Sequence, residues 1–239
     1  MGAIVPAILT PSREDLEAKL ARLEGLVDAV QIDVVDGKFA APATWPYTTP
    51  QESVQKLGEQ GALSNLGTFR FEMDLMVEAP EDTVGAWIEA GASKILVHAE
   101  STRFLPKLIN DLERTYGHDK GFAPDLLSFG LALSVETDIA LVEQYLDKTD
   151  YVQFMGIATI GKQGQPFDRR VIQKIETFKK RYPDTLVQVD GGVTLHTAPE
   201  LLAAGAGRLV VGHDLWEEED LAAELTRYRE LIERYGLYK

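Results

Sequence analysis

An alternation constrains the fold most. Short β-branched or apolar runs of strand period alternate with longer segments of helical period, eight times along 239 residues and with no internal linker. The first strand reads Ala3 to Leu9. Ser12 then caps a helix lined on one face by Leu16, Leu20 and Leu23, with Asp15 placed for a capping box. The second strand spans about Ala29 to Val34, before a long loop from Asp36 to Thr49 and a helix near Gln51 to Leu57. Phe69 to Met76 is the third strand. Pro80 opens the next helix, with Val84, Trp87 and Ile88 inward and Gly91 at its end, and Lys94 to His98 is the fourth strand. Strands five to eight fall near Ser128 to Ser134, Tyr151 to Met155, Thr185 to Asp190 and Arg208 to Val211, and the last helix covers about Glu217 to Tyr235. Eight such units predict an α/β fold, a closed (β/α)8 TIM barrel forming a single domain over 1–239, in preference to an open doubly wound sheet.

Composition narrows the chemistry. With no Cys there is no thiolate nucleophile or thiolate metal site, so a metal needs oxygen ligands or the four histidines His98, His118, His196 and His213. A net charge of −14 argues against nucleic acid or an anionic membrane as partner, because no basic stripe exists to release counterions. It leaves room for a small anion held by backbone N–H groups. No apolar run reaches the roughly 20 residues that span a bilayer, and MGAIVPAILT lacks the basic flank of a signal peptide, so a cytoplasmic protein is expected. Barrels of this type associate through their outer helices, which leaves a homo-oligomer open.

Side-chain alternation separates residues facing the barrel axis from those facing the helices. Gln31 and Asp33 share a parity, as do Gln188 and Asp190, Glu72 and Asp74, Lys94 and His98, and Gln153 and Met155. The upper strand ends thus offer Asp33, Asp74, His98 and Asp190 to one cavity, while Arg70, Glu72 and Lys94 are expected lower down as a self-neutralising charge cluster. Asp33 and Asp190 each sit at a strand tip followed by a loop, where a buried carboxylate is costly unless it is used. Asp190-Gly191-Gly192 and Val211-Gly212-His213 end strands seven and eight, where barrel enzymes often bind phosphate against backbone with no Cβ in the way. The stretch Gly161-Lys162-Gln163-Gly164-Gln165-Pro166-Phe167 reads either as a loop that closes over an anion or as ordinary surface.

Several stretches in the same order resemble the ribulose-phosphate 3-epimerases: Pro6-Ala7-Ile8-Leu9-Thr10, Gln31 through Phe39, Asp74-Leu75-Met76-Val77, Gly130 through Ser134, Gly164-Gln165-Pro166-Phe167 and Val189-Asp190-Gly191-Gly192-Val193. The resemblance covers nearly the whole chain. It implies that Asp33 and Asp190 exchange protons with opposite faces of a substrate carbon. It implies further that Thr10, Met76, Met155, Gly164, Gly191, Gly192, Gly212 and His213 line the site of a small phosphorylated sugar. In that family two histidines and the two aspartates bind a divalent metal. Here Gln31 and Asp74 stand at the histidine positions, Val35 replaces a methionine, Thr10 a serine and His213 a serine, and the loop after strand six departs from the family pattern. A metal held by Gln31, Asp33, Asp74 and Asp190 would see an all-oxygen set, suited to magnesium or manganese and poorly suited to zinc. Without a cation, one of three close carboxylates should hold a proton.

Three readings follow. The first is an isomerase that interconverts phosphorylated ketoses, such as D-ribulose 5-phosphate and D-xylulose 5-phosphate, by two-base proton transfer through an enediolate. The second is a lyase of the same barrel type, disfavoured because Met76 stands where related decarboxylases and aldolases carry a lysine. The third is a non-catalytic homologue that still binds a phosphosugar. Of the remaining residues, His118 and His196 read as solvated, Trp45 and Tyr47 as lid or interface, and Glu217 to Asp220 as an acidic helix start.

Overall fold

The computed structural model describes residues 3–123 and 126–236. Eight parallel strands close into a barrel in sequence order: β1 (Ala3–Leu9), β2 (Ala29–Val35), β3 (Arg70–Met76), β4 (Ala92–His98), β5 (Ser128–Leu133), β6 (Tyr151–Met155), β7 (Leu186–Asp190) and β8 (Arg208–Val211). β1 pairs with β8, so the sheet has no edge. Around it lie α1 (Arg13–Leu23), α2 (Val54–Glu59), α3 (Val84–Ala90), α4 (Leu105–Tyr116), α5 (Ala140–Glu143), α6 (Arg170–Arg181), α7 (Ala198–Ala204), α8 (His213–Trp216) and α9 (Leu221–Tyr235). Among the described residues no helix is long and apolar enough to cross a membrane.

Parity along the strands divides two environments. Ile8, Ile32, Met73, Ile95, Phe129, Val152, Val189 and Leu209 face outward and form the main core with Leu16, Leu20, Leu57, Trp87, Leu108, Phe178 and Leu225 of the helices. The alternate residues fill the interior, in layers set by the register: Gln31 opposite Glu72, Asp33 opposite Asp74, Gln153 opposite Gln188, and Met155 opposite Asp190. The interior is thus polar on the opposed β2–β3 and β6–β7 walls, whereas Val5, Ala7 and Val210 keep the β1–β8 wall apolar and Leu96 and Ala132 the β4–β5 wall.

Local chemistry departs from expectation in four places. Ser12 caps α1 by accepting from the Asp15 N–H at 3.2 Å, but the Asp15 carboxylate turns to the Thr10 hydroxyl at 2.7 Å and to Lys19 at 2.8 Å, so the reciprocal half of the capping box is not made. On the barrel floor Glu72 is neutralised by Arg208, with Nη2 to Oε2 at 2.6 Å. Arg70 ends exposed at the rim, and Lys94 lies 5.5 Å over the Tyr151 ring. His118 is buried against Asp150 at 2.9 Å, because the short loop before β6 brings a carboxylate beneath the end of α4. Trp45 is fully buried edge-on to Trp87 at 6.2 Å, which makes it core and not lid.

Candidate active site

Asp33 on β2, Asp74 on β3 and Asp190 on β7 are buried at the C-terminal end of the barrel, with one oxygen of each within 4.8 Å of the others. Like charges this close cannot all ionise. Burial, and then the Asp74 charge, push the Asp33 carboxyl from its ordinary 3.8 to about 7, against the pull of the Gln31 amide. Burial, and then Asp33 and Asp74, push Asp190 well above the carboxylate range. The pair therefore retains a proton at neutral pH. His98 is fully buried with Nε2 3.2 Å from Asp74 Oδ1, an ion-pair contact off the line of a hydrogen bond. Burial opposes charging the ring, but the Asp74 carboxylate overrides it and raises the His98 pKa.

Amide groups join these carboxylates. Gln31 Nε2 donates to Asp33 Oδ1 at 2.9 Å and to Asp190 Oδ2 at 2.7 Å, while Gln153 Nε2 donates to Asp74 Oδ2 at 3.1 Å. Below them Gln188 Nε2 faces Gln31 Oε1 at 3.2 Å, Gln153 Oε1 at 2.6 Å and Glu72 Oε1 at 2.6 Å. Parity placed these glutamines on the axis. Their joint network, and Arg208 beneath it, escape a reading of single strands because they join residues more than 30 positions apart.

The donor set decides whether the divalent metal of the resembling family fits. Three carboxylates gather as a hard cation would require, and Asp74 Oδ1 is buried without a hydrogen-bond partner. Gln31, however, turns its N–H2 and not its carbonyl toward Asp33 and Asp190, and its carbonyl is engaged by Gln188. Amide hydrogens stand where a cation would need lone pairs, so the expected set of four oxygen ligands is not assembled. As arranged, these residues do not fit a metal.

A cavity opens above Asp33 and Asp190. Its walls carry Leu9, Met76, Met155 and Ile157, then Gly191, Gly192 and Gly212 with His213 at the β7 and β8 ends. The segment 161–165 after β6 folds over these ends and contributes Lys162, Gln163 and Gly164 to the lining, so this loop covers the cavity. Gly192 has φ +65°, and a Cβ there would lie 2.8 Å from Phe167 Cα, so the approach of the β6 loop requires glycine. Thr10 is the expected contact that the cavity lacks: its one hydroxyl hydrogen is shared between Asp15 Oδ2 at 2.7 Å and the Ser12 carbonyl at 2.8 Å. His213 is half exposed, with Nδ1 3.7 Å from Glu217, and His196 is exposed. Lys162 supplies the cation that the glycine ends lack.

Solved structures share this barrel. 3-Keto-L-gulonate-6-phosphate decarboxylase from Vibrio cholerae superposes with a TM-score of 0.69 at 13% identity, covering 99% of this chain and 100% of that one. 3-Hexulose-6-phosphate synthase from Salmonella typhimurium gives 0.66 at 14%, covering 99% and 100%. At that identity the likeness is one of fold. Among curated sequences, ribulose-phosphate 3-epimerase of Bacillus subtilis is 28% identical over 235 residues, 96% of this chain and 99% of the relative. The enzyme of the same name from Schizosaccharomyces pombe is 29% identical over 210 residues, 87% and 84%. The model of the ribulose-phosphate 3 epimerase family matches residues 3–216, and the chain belongs to that family of isomerases.

Proposed function

We propose that the protein epimerises a phosphorylated ketose, D-ribulose 5-phosphate to D-xylulose 5-phosphate or a close analogue, by two-base proton transfer between Asp33 and Asp190. The observation that carries this reading is that the two carboxyls face one cavity and are joined through a single amide, where burial and the neighbouring carboxylates raise the pKa of both. Epimerisation next to a carbonyl needs that unequal pair: an ionised carboxylate takes the C3 proton, the electron pair moves into an enediolate, and a protonated carboxyl returns a proton to the other face of C3. The two Gln31 N–H groups hold the carboxyls in place, one donated to each. Gly191, Gly192 and Gly212, with Lys162 above them, form the end that suits the phosphate, and Met76 and Met155 suit the carbon chain between.

Met76 also weighs against the lyase reading, since it lines the cavity where that chemistry would want a cation. The retained pair of buried acids weighs against a protein that only binds, because idle acids there would cost stability. The test is conversion of D-ribulose 5-phosphate by the purified protein, with Asp33→Asn and Asp190→Asn as controls. Turnover lost in either variant supports the assignment. Full activity in both would remove the two aspartates from the chemistry.

A further inference from the structure

The polarity of the centre is set from the barrel floor. Arg208 Nη2 donates to Glu72 Oε2 at 2.6 Å, and the Tyr151 hydroxyl donates to Glu72 Oε1 at 3.0 Å. Glu72 is thus a buried ionised acceptor, and only a donor can approach it. Gln188 turns Nε2 toward it, at 2.6 Å, although this leaves Gln188 Oε1 buried without a partner. With its second hydrogen the same nitrogen reaches Gln153 Oε1 at 2.6 Å and, at the longer 3.2 Å, Gln31 Oε1, so a carbonyl and not an N–H2 group is favoured at the lower end of both amides. Their nitrogens then point upward, Gln31 to Asp33 and Asp190, Gln153 to Asp74. Reversing Gln188 would set a carbonyl oxygen against a carboxylate, and reversing Gln31 or Gln153 would set N–H groups against N–H groups.

We propose that Glu72, held by Arg208, is a positioning residue that directs the amides of Gln188, Gln31 and Gln153, so that Gln31 supplies N–H donors in place of a divalent cation and the centre works without metal. The donors take over what a cation would do between Asp33 and Asp190, holding the two carboxyls together. Glu72 lies beneath the cavity and reaches the amides through Gln188.

Neutron diffraction from the deuterated wild-type protein reads the amide direction itself. The expected map places both Gln31 amide deuterons toward Asp33 and Asp190. A carbonyl oxygen there would overturn the proposal. Calorimetric titration with Mn2+ after chelation gives a second readout: no saturable binding to the wild type, and one ion per chain for Gln31→Glu, which replaces the donors by a fourth carboxylate. One Mn2+ per wild-type chain would contradict a metal-free centre.

For the role of Glu72, the double variant Glu72→Gln, Arg208→Met removes the carboxylate together with the guanidinium that pairs with it. Its kcat is expected to fall at least about tenfold with KM nearly unchanged, and wild-type kcat would sink the positioning role. Only this kinetic readout rests on the epimerase reading. An inactive wild type would fail that reading and leave the neutron and Mn2+ results to decide the inference, as they also would if the double variant did not fold.

Discussion

Gln31 Nε2 stands 2.7 Å from Asp190 Oδ2, joining residues 159 apart in sequence across the barrel axis. The same nitrogen reaches Asp33 at 2.9 Å, so one neutral side chain couples the two acids. Gln31→Leu removes both donors while keeping the bulk. The expected result is a loss of about 10²-fold in kcat, with a pH profile displaced to higher pH because the amide no longer favours the ionised form. Steady-state rates between pH 6 and about 9 check it.

The pH dependence has a defined sign. A base near 7 is ionised only above that value, so kcat/KM should rise as pH passes through about 7. For stability the sign is opposite. A carboxyl whose pKa is raised on folding contributes stability that is complete below its ordinary 3.8 and is lost as pH rises through about 7. Asp33→Asn should therefore raise Tm relative to wild type at pH 8 more than at pH 4, as calorimetry at the two pH values would show.

Asp150 shows the reverse. Burial opposes its ionisation, but the His118 ring and the N–H groups of Phe129 and Gly121 outweigh burial and hold its pKa below 3.8. The stability it supplies is present above 3.8 and is lost as pH falls through the depressed value. Asp150→Asn should cost about 1–3 kcal/mol at pH 7. The deficit should shrink as pH falls from 3.8 toward the depressed value, a trend that urea unfolding at pH 7 and at successively lower pH measures.

Gly192→Ala tests the seating of the β6 loop. A Cβ 2.8 Å from Phe167 Cα, at φ +65°, must push that loop away from the β7 end. The expected cost is about 1–3 kcal/mol of stability, with KM for the sugar phosphate raised more than kcat is lowered. Unfolding curves and initial rates on the same preparation separate the two effects.

The barrel was legible because its signals are local. Period-two strands, Ser12 as a cap and Gly91 at the end of α3 (φ +112°) each carry their own instruction. Asp33 and Asp190 were legible for a related reason, since a strand tip and its parity fix where a carboxylate points. What stayed hidden depends on partners distant in sequence. Arg208 opens β8 and reads as an ordinary first residue until β3 places Glu72 beside it, and the amide direction of Gln31 follows from that pair through Gln188. His118 reads as solvated and Trp45 as lid or interface because neither position shows its partner in the sequence, whereas Asp150 and Trp87 draw them inside. Thr10 leaves its expected place because a carboxylate in the first turn of α1 accepts its hydroxyl.

The central claim is proton exchange at C3 by two acids, and turnover of D-ribulose 5-phosphate in D2O tests it most directly. Product analysed by mass spectrometry and NMR should carry one deuterium at C3 from the first turnover, and both Asp33→Asn and Asp190→Asn should abolish its formation. Epimerised product that retains the original hydrogen at C3 would contradict the account.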